Sequence, residues 1–228
     1  MDLRERLADL DARIDDAARA AGRDPQALTR IVVTKFHPAE LVARLHALGV
    51  RDVGENRQQE LTAKRAELPP LEGLSWHFIG QAQTKKARAI RAASAVVHSL
   101  DRERLADALH AADPDAPSPL DVLLQINLTD DAGRGGLAPA DAPALAEYVA
   151  SHCGSLRVRG VMAVAPLDEP PASAFARLAA ASAGVRTVVP DAEWISAGMS
   201  GDYAEAIAAG ATHLRIGSAI TGPRPVPG

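Results

Sequence analysis

The feature that most constrains the fold is an alternation that returns eight times along the chain. Short runs of strand-forming residues at 31–35, 52–56, 76–80, 95–100, 120–127, 158–164, 194–197 and 213–217 alternate with stretches of helical spacing. The helical stretches fall at 38–48, 57–67, 84–91, from 101 onward, and at 139–150, 172–183 and 202–209. Each connection is long enough for the crossover that parallel neighbours require, and the run at 120–127 is nearly all apolar, as expected of a strand covered on both faces. Eight such units predict a closed (β/α)8 barrel. An open doubly wound sheet would usually show a GxGxxG turn after its first strand, whereas here the first strand ends in Lys35 and no such turn follows.

Local signals support these boundaries. Pro25 suits the opening of a short helical turn, Pro38 the first turn of a helix, Gly49 a left-handed helix end, and Asp101 an N-cap. The first 21 residues read as one extra amphipathic helix, with Leu3, Leu7, Leu10 and Ile14 on one face. They are charged throughout, which is unlike a signal peptide. The 228 residues are expected to form one domain, 1–228. A net charge of −4 with 3% aromatic residues offers neither a basic footprint nor stacking platforms, so no nucleic-acid partner is expected. Cys153 is the only cysteine, so no intrachain disulfide can form. The expectation is a cytoplasmic protein with no membrane partner, monomeric because a closed barrel leaves no strand edge to pair.

A barrel of this kind opens the carboxyl ends of all its strands onto one face, which converts distant motifs into neighbours. It would gather Lys35, Asn56, residues 77–80, Asn127, and residues 162–166, 196–200 and 215–218. Lysine condenses with aldehydes to a Schiff base as the free amine, a form favoured by burial and neighbouring positive charge, and a strand end inside a barrel offers both. Loops after the seventh and eighth strands often build phosphate sites from backbone N–H groups. Here they carry Ser196-Ala197-Gly198-Met199-Ser200, with Ser200 expected where a helix begins, and Arg215-Ile216-Gly217-Ser218. Arg215 and Gly217 are two residues apart and can share a face. The guanidinium could then lie beside a ligand's ring, or form a structural ion pair with Asp202 or Glu205.

Other residues leave two readings open. Asn56 could bond a ligand or cap the following helix, His77 could face the pocket or be hydrogen-bonded in place, and Arg134 could close over an anion or stay solvated. Lys85, Lys86, Arg88 and Arg91 read as a solvated helix face. No HExxH, CxxC or GxSxG pattern points to a metal site or a serine hydrolase.

With these segments in hand, the chain closely resembles the pyridoxal phosphate homeostasis proteins, the YggS or PROSC type. The resemblance rests on Val33-Thr34-Lys35, Gly54-Glu55-Asn56-Arg57-Gln58-Gln59-Glu60, Trp76-His77-Phe78-Ile79-Gly80, Gly160-Val161-Met162, Ser196 to Ser200 and Arg215 to Ile220. It implies a TIM barrel like the amino-terminal domain of alanine racemase, with pyridoxal 5'-phosphate (PLP) joined to Lys35 as a Schiff base. By the same resemblance Ser200, Gly217 and Ser218 form a phosphate cup, Asn56 belongs to the cofactor site, and Arg215 faces the pyridine nitrogen. The implied role is PLP homeostasis without strong catalysis, with PLP-dependent apoenzymes as transient partners. An arginine at the ring nitrogen disfavours its protonation and so blunts the electron sink. The alternatives are a slow amino acid racemase, and a sugar phosphate binder in which Lys35 only pairs with charge. Where the family often carries further lysines this chain has His37 and Arg134, neither of which readily condenses with an aldehyde.

Overall fold

A computed structural model of the chain describes residues 1–223, so positions 224–228 of the one-domain expectation lie outside the described residues. Eight parallel strands close into a barrel in sequence order. They are β1 (Thr29–Val33), β2 (Asp52–Glu55), β3 (Ser75–Phe78), β4 (Val96–Leu100), β5 (Leu120–Gln125), β6 (Leu156–Met162), β7 (Trp194–Ser196) and β8 (His213–Ile216). The cylinder closes where β8 pairs with β1, from Thr29 opposite His213 to Val32 opposite Ile216.

One helix follows each strand. These are α2 (Ala39–Ala47), α3 (Gln58–Glu67), α4 (Ala87–Ala93), α5 (Glu103–Ala111), α6 (Ala142–His152), α7 (Pro171–Arg186), α8 (Tyr203–Ala208) and the single turn α9 (Ser218–Thr221). The extra helix α1 (Leu3–Ala20) precedes them. A capping box starts it: the Asp2 carboxylate accepts from the Glu5 N–H, and the Glu5 carboxylate accepts from the Asp2 N–H. Leu3, Leu7, Leu10, Ile14 and Ala18 fall on its buried face. Arg6 Nε donates to the Ile220 carbonyl at 2.6 Å, so α1 also holds the last turn of the barrel.

Strand alternation sorts the side chains into two regions. Val32, Val53, Val97, Val122, Leu124, Val161, Leu214 and Ile216 belong to the large apolar cluster shared with the helices. Inside the cylinder a small cluster of Val96, Leu123 and Met162 is accompanied by buried His77, His98, Ser196 and Arg215. Barrel interiors are usually filled by branched apolar side chains, so this much buried polarity needs hydrogen bonds to be tolerated.

Several boundaries differ from the expected ones, for identifiable reasons. β1 stops at Val33 rather than Lys35, β3 at Phe78 rather than Gly80, and β8 at Ile216 rather than Gly217. Burial continues past the ladders, with Thr34 and Ala163 fully buried and Ala197 nearly so, and apolar runs therefore overshoot the paired residues. Asp101 is not an N-cap. Arg102 takes that position before α5, while the Asp101 carboxylate accepts from the Arg102 guanidinium and from the Gly136 N–H. Arg91 does not lie on a solvated face: it shares the buried side of α4 with Ala87 and Ile90. Its Nη1 donates to the carbonyls of Leu109 at 3.0 Å and Ser155 at 3.2 Å.

Candidate active site at the carboxyl ends of the strands

The loop after β1 is held from behind. Thr34 Oγ1 donates to Glu55 Oε1 at 2.6 Å, and Lys64 Nζ on α3 donates to the Thr34 carbonyl at 2.8 Å and to the same Glu55 oxygen. Glu55 is fully buried, and desolvation raises its pKa while Lys64 and Thr34 act against that rise. The Phe36 N–H donates to Glu60 Oε2 at 2.9 Å, and Phe36 itself sits at φ 68, an uncommon conformation for an aromatic residue. These contacts leave Lys35 at the tip of the turn. The expectation of a buried lysine on a strand is corrected: Lys35 is exposed, two residues beyond β1, with its Nζ 5.8 Å from the Phe36 ring centre.

Asn56 follows β2 directly. It does not cap α3, where Arg57 holds the N-cap position, and its Oδ1 is buried without a hydrogen-bond partner among the described residues. Such an acceptor costs free energy unless something supplies a donor. Gly80 is what allows the approach of the next loop, since a Cβ there would lie 1.9 Å from the Asn56 carbonyl oxygen.

The turn after β7 depends on Gly198. It adopts φ +89, and a Cβ would come within 2.8 Å of the Ala206 Cβ and 3.0 Å of the Tyr203 Cα. Its carbonyl accepts from the Arg215 N–H at 2.9 Å, tying this turn to β8. Gly198→Ala is expected to cost about 1–3 kcal/mol from backbone conformation, with the steric conflict added. A thermal melt of the variant within experimental error of wild type would contradict this geometry. Ser200 does not begin a helix as expected. Asp202 accepts from the Met199 N–H through its carboxylate and α8 starts only at Tyr203, so Ser200 lies inside the turn.

Gly217 packs against β1, its Cβ direction 3.6 Å from the Val33 Cβ. It lies past the end of β8 and opens α9, a turn that sequence patterning did not anticipate. The backbone N–H groups of Ser200, Gly201, Gly217 and Ser218 have no acceptor among the described residues.

Arg215 points into the barrel and is 5% exposed. Its Nη1 donates to Ser196 Oγ at 2.7 Å and its Nη2 to the Ala163 carbonyl at 2.8 Å. Burial lowers its pKa to about 10, which leaves it a cation at neutral pH. Of the two sequence readings, the ion pair with Asp202 or Glu205 is not formed among the described residues, although the charge of Asp202 acts on it. His77 is hydrogen-bonded in place, between His98 at 2.9 Å and Asp52 at 3.0 Å. His98 was not singled out by sequence reasoning. The available signal was a histidine in the middle of a short strand buried along its whole length, where an imidazole must have a partner. His37 is partly buried, and desolvation followed by the charge of Lys64 lowers its pKa. Arg134 lines a cleft with Thr129, Asp131, Asp168 and Arg177.

Comparison with known proteins bears on this arrangement. The family model for the alanine racemase N-terminal domain matches residues 6–225. A pyridoxal phosphate homeostasis protein from Pseudomonas aeruginosa is 44% identical, covering 96% of this chain and 95% of the relative. The structure of PipY from Synechococcus elongatus with PLP bound superposes with a TM-score of 0.84 at 33% identity, covering 97% of this chain and 100% of that one. Alanine racemase from Corynebacterium glutamicum, at 16% identity and a TM-score of 0.68, shares the fold over 96% of this chain and 62% of its own.

Proposed function

The chain belongs to the alanine racemase N-terminal domain family and, within it, to the pyridoxal phosphate homeostasis proteins, and from that premise we propose that it holds PLP on Lys35 as a carrier or regulator of the cofactor. The observation that carries this reading is the pairing of β8 with β1, which sets Gly217 against Val33 and so brings the Lys35 loop beside unpartnered N–H donors. The donor set fits the group. A phosphate would be met by the N–H groups of Ser200, Gly201, Gly217 and Ser218 and by two serine hydroxyls. The exposed Lys35 amine could condense with an aldehyde, and Asn56 Oδ1, buried without a partner among the described residues, could accept a hydrogen bond from the bound group. When bound, PLP supplies an aldehyde carbon that condenses with amines and a pyridine ring that withdraws electrons.

The remaining residues favour holding over turnover. Arg215, a donor without acceptor capacity, opposes protonation of the ring nitrogen that it faces in this reading. The His37 imidazole and the Arg134 guanidinium provide no second amine beside Lys35. The likeness to alanine racemase, at 16% identity, speaks for the fold and not for racemisation. A monomer in the cytoplasm that passes PLP transiently to apoenzymes completes the proposal; among the described residues no helix is long and apolar enough to cross a membrane. Titration of PLP into the purified protein is expected to produce a visible absorption band that saturates at one equivalent. A protein that stays colourless and unmodified ends the reading.

A further inference from the structure

A hydrogen-bonded series crosses the barrel interior from Arg215 to the opposite end of the cylinder. Arg215 Nη1 meets Ser196 Oγ at 2.7 Å, Ser196 Oγ meets His98 Nδ1 at 3.0 Å, His98 Nε2 meets His77 Nδ1 at 2.9 Å, and His77 Nε2 meets Asp52 Oδ1 at 3.0 Å. Each residue comes from a different strand, β8, β7, β4, β3 and β2, and Asp52 is the first residue of its strand. Four of the five are at most 5% exposed.

The two ends dictate the direction of every proton between them. A guanidinium can only donate and a carboxylate can only accept. Ser196 Oγ receives the Arg215 proton, and His98 Nδ1 is then the acceptor available for its own. His98 therefore carries its proton on Nε2 and donates it to His77 Nδ1, and His77 carries its proton on Nε2 and donates it to Asp52. Burial first, and with it the charge of the Arg215 guanidinium, keep the pKa of His98 well below its ordinary value, in agreement with a neutral ring. The reverse order would leave the Ser196 proton without an acceptor. It would also turn a bare His77 nitrogen toward the carboxylate, unless that ring were doubly protonated.

We propose that Ser196, His98 and His77 are positioning residues that hold the Arg215 guanidinium in one orientation and connect its charge to Asp52 at the amino-terminal end of the barrel. The proposal rests on the reading that Arg215 faces the ring of bound PLP. Its consequence is that a substitution in the barrel interior, away from the lysine and the phosphate donors, changes the electronic environment of the ring.

Nitrogen NMR of the histidine side chains in the labelled full chain reads the proton order directly, with or without PLP. In wild type, both His98 and His77 are expected as neutral Nε2–H tautomers. Ser196→Ala removes the hydroxyl between Arg215 and His98. It should mix the His98 tautomers, weaken PLP binding about tenfold, as loss of a hydrogen bond to a charged group implies, and shift the absorption maximum of the bound cofactor. Ser196→Thr keeps the hydroxyl and should restore all three, with thermal melts confirming that both variants fold. Wild-type His98 found as the Nδ1–H tautomer while PLP still binds overturns the relay alone. An unchanged spectrum in Ser196→Ala does the same. Expected tautomers in a protein that takes up no PLP overturn the underlying reading, and with it the ligand-facing role.

Discussion

Borohydride treatment of the PLP-loaded protein is expected to fix one pyridoxyl group, and peptide mapping should place it on Lys35. The argument is one of access. Lys64 is buried and engaged with Glu55 and the Thr34 carbonyl, so its amine is not free to attack an aldehyde. Lys85 and Lys86 belong to the short helical turn Thr84–Lys86 after β3, a strand that is not a neighbour of β8 in the barrel. Among the described residues, Lys35 is the exposed lysine on the loop that follows Val33, the residue against which Gly217 packs. Lys35→Ala should abolish the adduct and the visible band. Lys35→Arg should abolish them too while retaining the charge, because a guanidinium does not condense. A stoichiometric adduct on another lysine, or a band of undiminished intensity in Lys35→Arg, would remove Lys35 from the site.

The second large effect concerns stability. Lys64→Ala strands the fully buried Glu55 carboxylate and leaves the Thr34 carbonyl without its donor. Breaking one side of a buried pair costs about 3–5 kcal/mol at neutral pH. For a chain of this length that corresponds to a melting temperature lower by roughly 6–20 °C. The sign of the pH dependence follows from linkage. Burial raises the Glu55 pKa above its unfolded value, and without Lys64 the rise is larger. The native variant then binds a proton more tightly than the unfolded chain, so stability is lost as the pH rises through that window and regained as it falls. The deficit of Lys64→Ala should therefore shrink on acidification. Adding Glu55→Gln should recover much of it at pH 7, because no charge remains stranded. A deficit that is small and independent of pH would mean that water reaches Glu55.

The barrel was legible in the sequence because its period is local. Strand and helix patterns repeat within short windows, and parallel neighbours joined by helices leave few ways to connect. The turns after β7 and β8 were legible as well, since glycines at strand ends announce close backbone approach, as at Gly198 and Gly217. What failed were ends and faces. Lys35 reads into β1 because strand-forming residues run on through the buried Thr34, whereas the ladders to β8 and β2 end at Val32 and Val33. Arg91 was read as solvated because a basic run looks uniform until the buried face of α4 is known.

Residues 196–200 and 215–218 are contiguous, so their chemistry could be named before any fold was known. The series from Asp52 through His77, His98 and Ser196 to Arg215 joins five strands and has no sequence spacing to betray it. By itself, the sequence determined the alternation that closes the cylinder, the lysine and the small residues at its mouth. The tertiary structure decided that Lys35 is exposed two residues past the end of β1 and that a chain of hydrogen bonds crosses the interior. The physical reason is range: periodicity acts over a few residues, whereas which polar groups meet inside a barrel depends on strand register around its whole circumference.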